Sequence, residues 1–406
     1  MKRAVVLSGG GAKGGYEIGV WKALRRLDID YDIVTGTSVG ALIGELMVQK
    51  DYDKALKLWY FMDYSKVMDI EINGRFSTKK GREEIVKKYA KGAVKGGREL
   101  TGLKKIVDDL YDDDKFFSSN VDYGLVTVYF PSFKPKYVVK SKLKKDEVKD
   151  YLMASSACFP AFKMYKIGKN SFIDGGYYDN LPINLAIKLG AEEVIAVNTG
   201  AIGITRKVKN DKVKVINIKP KNDIGNFLAF EKKYARRAIA FGYNDTMKTF
   251  GKLEGDLYTF RLGSLKRNYD RNISRFIDNV EKYIPELISK LRYKKILNKN
   301  NFDAFNKVLE NTAKAFLIDE ANIYRTSFLN MKIKREYIRT KITSFNKIKR
   351  KIKTKALKKN YINKELIIYI YHLLDDYEKN KKTIDSISLF FFDAFLSAIY
   401  LKTIMR

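Results

Sequence analysis

The stretch Tyr31-Asp32-Ile33-Val34-Thr35-Gly36-Thr37-Ser38-Val39-Gly40-Ala41-Leu42 decides how the first half of this chain reads. Tyr31–Thr35 is a short run suited to a buried strand. Val39–Val48 carries Ala41, Leu42, Leu46 and Met47 on one face, which predicts a helix. The joint between them, Gly36-Thr37-Ser38-Val39-Gly40, is a G-x-S-x-G pattern set between strand and helix. That is the context a nucleophile elbow requires. Gly36 and Gly40 let the chain turn tightly and place the Ser38 hydroxyl at a helix N-terminus. Alone the pattern is weak, because a chain with 27 glycines meets it by chance; its placement gives it weight.

The preceding unit repeats the design. Arg3–Leu7 predicts a strand, and Tyr16–Leu27 a helix with Ile18, Val20, Trp21, Leu24 and Leu27 on its stripe. Between them lies Ser8-Gly9-Gly10-Gly11-Ala12-Lys13-Gly14-Gly15. Such a loop offers free backbone N–H groups at the positive end of a helix, an anion site. A P-loop is excluded because Gly15 stands where GxxxxGK[ST] needs Lys. Gly9-x-Gly11-x-x-Gly14 formally fits a dinucleotide fingerprint, but Asp28, Asp30 and Asp32 precede the second strand instead of ending it. The third reading, an oxyanion hole, agrees with the elbow that follows.

Strand-like and helix-like segments alternate onward. Strands are predicted at Gly124–Phe130, Lys136–Val139, near Phe172–Ile173, Val194–Asn198, Val213–Ile218 and Asp256–Leu262; helices near Lys145–Ser155, Leu181–Leu189 and Ile224–Phe250. This alternation predicts an α/β fold with parallel strand pairs. Residues 63–120 break the rhythm and read as a helical insertion or lid. After Arg267 only helices are expected, at 270–294, 302–317, 332–356, 362–378 and 383–402. The expected domains are 1–265 and a basic, all-helical 266–406.

Composition narrows the chemistry. The chain has 406 residues, formal charge +32, one cysteine (Cys158) and one histidine (His372). A disulfide framework, a multi-cysteine zinc site and any site needing two imidazoles are excluded; a serine nucleophile such as Ser38 requires no metal and no cofactor. A reducing, cytoplasmic setting is the simplest. No run of 18 uncharged apolar residues occurs; Ser386–Leu401 comes nearest and Asp393 interrupts it, so no transmembrane helix is expected. Residues 1–200 carry +7 and residues 201–406 carry +25, with 13 basic residues and one acid in Lys332–Lys359. A basic second half suits an anionic membrane surface, and so a peripheral location; no zinc-finger or RNP-type motif supports nucleic acid. A Lys-, Asn-, Ile- and Tyr-rich composition is also what an AT-rich coding bias produces with no partner at all.

A reactive serine needs a base. His372 lies in Tyr369–Tyr377 with Asp375 and Asp376 three and four residues on, a helix-surface pairing. The remaining candidate is Asp174 in Ile173-Asp174-Gly175-Gly176, after a short apolar run and before two glycines that permit close approach. Asp-Gly-Gly taken alone reads as a turn.

Together these segments resemble the patatin-like phospholipases. The resemblance rests on GGGAKGGYEIGV, GTSVGAL and DGGYYDNLP in this order and spacing, with Ala154-Ser155-Ser156-Ala157-Cys158-Phe159-Pro160 similar to the family's Ala-Ser-x-Ala-x-Pro. It covers about residues 1–200 and does not reach the helical region. It implies a three-layer α/β/α sandwich around a mostly parallel sheet, and a Ser–Asp dyad acting on acyl esters of phospholipids or lysophospholipids. Position by position it makes Ser38 the nucleophile and Asp174 the base, and puts Gly9, Gly10 and Gly11 in the oxyanion loop. Lys13 stands where the family has Arg or Lys. Acyl transfer or thioester hydrolysis by the same dyad is the near alternative; a non-catalytic lipid- or nucleic-acid-binding protein on the same scaffold, or a nucleotide binder, is the distant one. Cys158 reads as a buried packing residue, Trp21 and Trp59 as core or groove residues in their helices, Phe390–Phe392 as part of a core helix more than a bilayer contact, and Asp108, Asp109 and Asp112–Asp114 as a solvated helix end more than a Ca²⁺ site.

Overall fold

Ala4–Leu7 are buried with no exposed face, a pattern a strand adopts only at the centre of a sheet covered on both sides. The computed structural model, which describes residues 1–67, 78–94, 96–283, 301–340 and 362–405, places them there. β1 (Arg3–Leu7) is flanked in parallel by β2 (Ile33–Thr37) and β7 (Glu193–Val197), each also buried throughout. β3 (Asp122–Phe130) lies parallel to β2, and β8 (Lys214–Ile218) parallel to β7. β4 (Pro135–Val139) and β6 (Asn170–Asp174) run antiparallel to β3, and β5 (Tyr165–Ile167) antiparallel to β6. The result is an eight-stranded, mostly parallel sheet, as the alternation predicted.

Helices α1 (Gly14–Arg26), α2 (Val39–Val48) and α3 (Tyr52–Tyr60) follow the first two strands. The predicted insertion is helical where described: α4 (Tyr64–Val67), α5 (Lys79–Val94), α6 (Thr101–Leu110) and α7 (Asp113–Ser118). Its residues 68–77 lie outside the described residues. Next come α8 (Val148–Ser155), α9 (Ile183–Lys188) and α10 (Lys232–Thr249); the last begins eight residues later than the expected Ile224 because Ile224–Glu231 forms a loop over the site. α1 and α10 cross with backbones in contact: a Cβ on Gly19 would lie 2.0 Å from the Ile239 carbonyl oxygen, and one on Gly242 1.9 Å from that of Tyr16.

The chain divides into two compact units, Met1–Thr249 and Phe250–Arg406. The second holds a small sheet of β9 (Leu253–Glu254), β10 (Thr259–Arg261) and β11 (Ile323–Tyr324). The strand expected at Asp256–Leu262 thus belongs to this unit and not to the central sheet. β11, two residues long, is too short to register in a periodicity. Its other described elements are helices: α11 (Ser264–Tyr283), α12 (Asn301–Ala315), α13 (Thr326–Arg339), α14 (Lys364–Asp375), α15 (Tyr377–Phe390) and α16 (Phe392–Met405). The helix expected at 383–402 is broken at Phe391, which is itself buried, whereas Phe390 is exposed. α16 is buried on every side from Ala394 to Ile404, which makes it the core helix of its unit. Residues 284–294 of one predicted helix, 341–356 of another, and most of the Lys332–Lys359 run lie outside the described residues. His372 sits half-exposed on α14 with Nδ1 3.5 Å from an Asp375 carboxylate oxygen.

Candidate active site

The register of the sheet brings two distant segments end to end. β4 occupies one edge of β3 along Gly124–Val128, so β2 and β6 must share the other. β2 takes that edge up to Thr37 opposite Val126, and β6 arrives from the opposite direction with Asp174 opposite Thr127. The chain ends of the two strands therefore meet head-on, with Ser38 following one and Asp174 closing the other. Gly175 makes the junction possible: a Cβ there would stand 2.1 Å from the Val126 carbonyl oxygen and 2.9 Å from Thr37 Cγ2.

Ser38 holds φ 55° and ψ −126°, a left-handed conformation that non-glycine residues rarely adopt. Such strain costs on the order of 1–3 kcal/mol and persists only where neighbours enforce it. Its N–H donates to Ser155 Oγ at 2.9 Å, and that hydroxyl donates in turn to the Val126 carbonyl at 2.8 Å. Thr37 Oγ1 donates to the Asp179 carbonyl at 2.8 Å. Gly36 and Gly40 serve close approach, since a Cβ on Gly36 would lie 2.2 Å from the Gly40 carbonyl oxygen, and one on Gly40 2.6 Å from that of Leu7. Ser155 is the residue sequence reasoning did not single out. Its only signal is its place in the Ala-Ser-x-Ala-x-Pro-like segment.

Asp174 is 6% exposed and accepts a hydrogen bond from the Gly176 N–H at 2.8 Å, and the Ser38 hydroxyl lies near enough to the same carboxylate to favour its charged form. Its own N–H donates to the Ala157 carbonyl at 2.9 Å. Burial pushes its carboxyl up to about 6, against the lowering effect of those two groups.

The glycine loop lies beside Ser38. Gly9 donates its N–H to the Asn180 carbonyl at 3.1 Å, so it has no donor left for a ligand. Among the described residues the N–H groups of Gly10 and Gly11 have no partner. Gly11 has φ 53°, and a Cβ there would meet the Phe227 carbonyl oxygen at 2.5 Å. Ser8 and Thr199 brace the loop: Thr199 Oγ1 donates to the Gly9 carbonyl at 3.1 Å and lies 3.0 Å from Ser8 Oγ. Lys13 is not a wall residue. Its Nζ donates to the carbonyls of Thr199 and Gly200 at 3.3 and 3.2 Å, tying the same loop from behind, and burial lowers its pKa.

A cavity of about 540 Å³ opens from Ser38, Asp174 and Gly9–Gly11. Its walls are mostly apolar: Leu42 and Leu46 of α2, Leu103 and Val107 of α6, with Trp59, Met62 and Phe230. Trp59 is therefore a buried wall residue. Cys158 is half-buried and lines the cavity beside Asp174, with its thiol pushed up to about 12 by burial. In the acidic cluster, Asp108 and Asp114 pair with Lys149 and Lys145, and Asp112 caps α7.

Residues 5–187 match the model of the patatin-like phospholipase family. The chain is 27% identical to "Lysophospholipase NTE1" of Mycosarcoma maydis over half of its own length and 10% of that protein's. It is 26% identical to "Patatin-like phospholipase domain-containing protein 7" of Rattus norvegicus over 49% of its length and 14% of that protein's. The chain thus spans only about a tenth to a seventh of the length of these relatives. Among solved structures it is similar to VipD from Legionella pneumophila, with TM-score 0.40 and 14% identity over 99% of this chain and 91% of that one. It is also similar to the type III effector ExoU, with TM-score 0.32 and 12% identity over 98% and 76%.

Proposed function

Starting from residues 5–187 as a patatin-like phospholipase domain, we propose that this chain is a serine lipid acyl hydrolase working through Ser38 and Asp174. The observation that carries the reading is the head-on meeting of β2 and β6, which sets a strained serine beside a buried carboxylate. Asp174 takes the proton as Ser38 Oγ attacks an ester carbonyl, and a base titrating near 6 is ionised yet basic enough at neutral pH. The developing oxyanion is held by the free N–H groups of Gly10 and Gly11; losing one such donor typically costs about 10²–10³-fold in rate. The protonated Asp174 returns its proton to the leaving alcohol, and water then cleaves the acyl-enzyme by the same relay.

The apolar cavity suits a fatty-acyl chain, which supports phospholipid or lysophospholipid as substrate. Access from a bilayer is supported by the loop at the cavity mouth. Ile202, 92% exposed, and Ile204 line the cavity, and the exposed Arg206, Lys207 and Lys209 follow. The loop is firmly held: Ile204 exchanges backbone hydrogen bonds with Gly176 and Asn180, and Arg206 stacks on Tyr178. Apolar tips on a basic, anchored loop fit an anionic membrane. The basic second half would add to this attraction. No helix among the described residues is long and apolar enough to cross a membrane. The test is fatty-acid release from phospholipid vesicles with and without anionic lipid. Release that depends on Ser38 and Asp174 supports the reading; release unaffected by Ser38→Ala removes it. Acyl transfer would appear as acylated acceptor in place of free acid.

A further inference from the structure

The polar groups of the cavity wall gather at the dyad, with one exception at depth. Glu45 lies seven residues beyond Ser38 on α2, two helical turns and about 10 Å away on the same face. It lines the cavity together with Leu42, Leu46, Val107 and Leu110, and is 3% exposed. Among the described residues neither carboxyl oxygen has a hydrogen-bond partner; Oε1 is buried, which leaves Oε2 as the oxygen open to the cavity. Of the polar groups around it, Gln49 donates to the Leu110 carbonyl and accepts from the Asp112 N–H, Tyr123 donates to the Ala41 carbonyl, and Lys54 pairs with Asp51, while the buried Tyr111 hydroxyl nearby is, like the Glu45 carboxyl, without a hydrogen-bond partner among the described residues.

A bare carboxyl in an apolar wall is unfavourable both for the fold and for a plain alkyl chain laid against it. A ligand that supplies the missing hydrogen bond reverses both effects. We propose that Glu45 forms a polar subsite in the acyl cavity that selects acyl chains bearing a hydroxyl partway along their length. The inference rests on the acyl-hydrolase reading of the same cavity. An extended chain advances about 1.25 Å per carbon, given C–C bonds near 1.5 Å, so about 10 Å places the hydroxyl around the ninth to tenth carbon from the ester. Burial raises the Glu45 pKa above the usual carboxyl range; the carboxyl can accept from that hydroxyl in either charge state and donate to it when protonated.

The experiment measures binding of octadecanoate, 10-hydroxyoctadecanoate and 2-hydroxyoctadecanoate to the full chain carrying Ser38→Ala. One gained hydrogen bond predicts about ten-fold tighter binding of the 10-hydroxy acid than of either other acid. Glu45→Leu in the same background should abolish that preference and tighten octadecanoate, while Glu45→Gln, which keeps donor and acceptor, should retain most of it. Equal binding of all three acids overturns the proposal, as does a preference that survives Glu45→Leu or tighter binding of an alkyltrimethylammonium ion of matching length. Fluorophosphonate labelling of wild type tests the Ser38 nucleophile independently. Labelling without any hydroxyl preference removes the Glu45 subsite and leaves the hydrolase. Failure of all three acids to bind removes the acyl cavity and the subsite with it.

Discussion

Replacing Asp174 by Asn should abolish activity and stabilise the fold, by an amount that depends on pH. The Asp174 carboxyl is raised by burial from 3.8 to about 6. A group raised in the folded state binds its proton more tightly there, so it favours folding below the unfolded pKa and loses that contribution as pH rises through the folded one. At 1.36 kcal/mol per pKa unit, ionised Asp174 costs the folded state about 3 kcal/mol at pH 8 and about 0.5 kcal/mol at pH 4. Asn keeps an acceptor for the Gly176 N–H and carries no charge. Asp174→Asn should therefore melt about 6–12 °C above wild type at pH 8, given about 2–4 °C per kcal/mol for a unit of this size, and nearly with it at pH 4. Thermal unfolding of both proteins across that range is the assay. A stability gain that does not change with pH, or a loss at pH 8, would refute the claim that Asp174 is held as a strained buried base.

Activity on a soluble short-chain ester should fall on the acid side with an apparent pKa near 6, read from kcat/KM against pH, because only ionised Asp174 accepts the proton. Gly175→Ala should be destabilised by about 2 kcal/mol or more and inactive, since its Cβ would be driven into the Val126 carbonyl between the two strand ends. Ser155→Ala should leave the Ser38 N–H and the Val126 carbonyl without their shared partner, lowering stability by about 1–3 kcal/mol in denaturant titration and reducing kcat more than it raises KM.

Much of this fold was legible in the sequence because the strands buried on both faces write continuous apolar runs. Val39–Val48 was bounded by a serine-led glycine turn and matches α2 at both ends. Less was legible where structure depends on distant partners. Ile224–Glu231 has helical composition, yet the Phe227 carbonyl is drawn to the Ala12 N–H over the glycine loop, and the helix starts only at Lys232. Phe391 looked like the middle of a helix, and only the core of the second unit explains the break. At the site, Ser38 and Asp174 were readable from their glycines. What the motif could not convey was which loop N–H groups stay free: Gly9 is taken by Asn180, and Lys13 turns to Thr199 and Gly200. Glu45 gave no signal, since an acid on an amphipathic helix ordinarily faces water.

The central claim is that Ser38 is an activated nucleophile and Asp174 its base. The most direct measurement is covalent labelling by a fluorophosphonate probe, with wild type, Ser38→Ala and Asp174→Asn compared in the presence and absence of anionic vesicles. The account predicts labelling of wild type at Ser38 and none in either variant, both of which remain folded. Labelling that persists in Ser38→Ala, or is undiminished in Asp174→Asn, would contradict it.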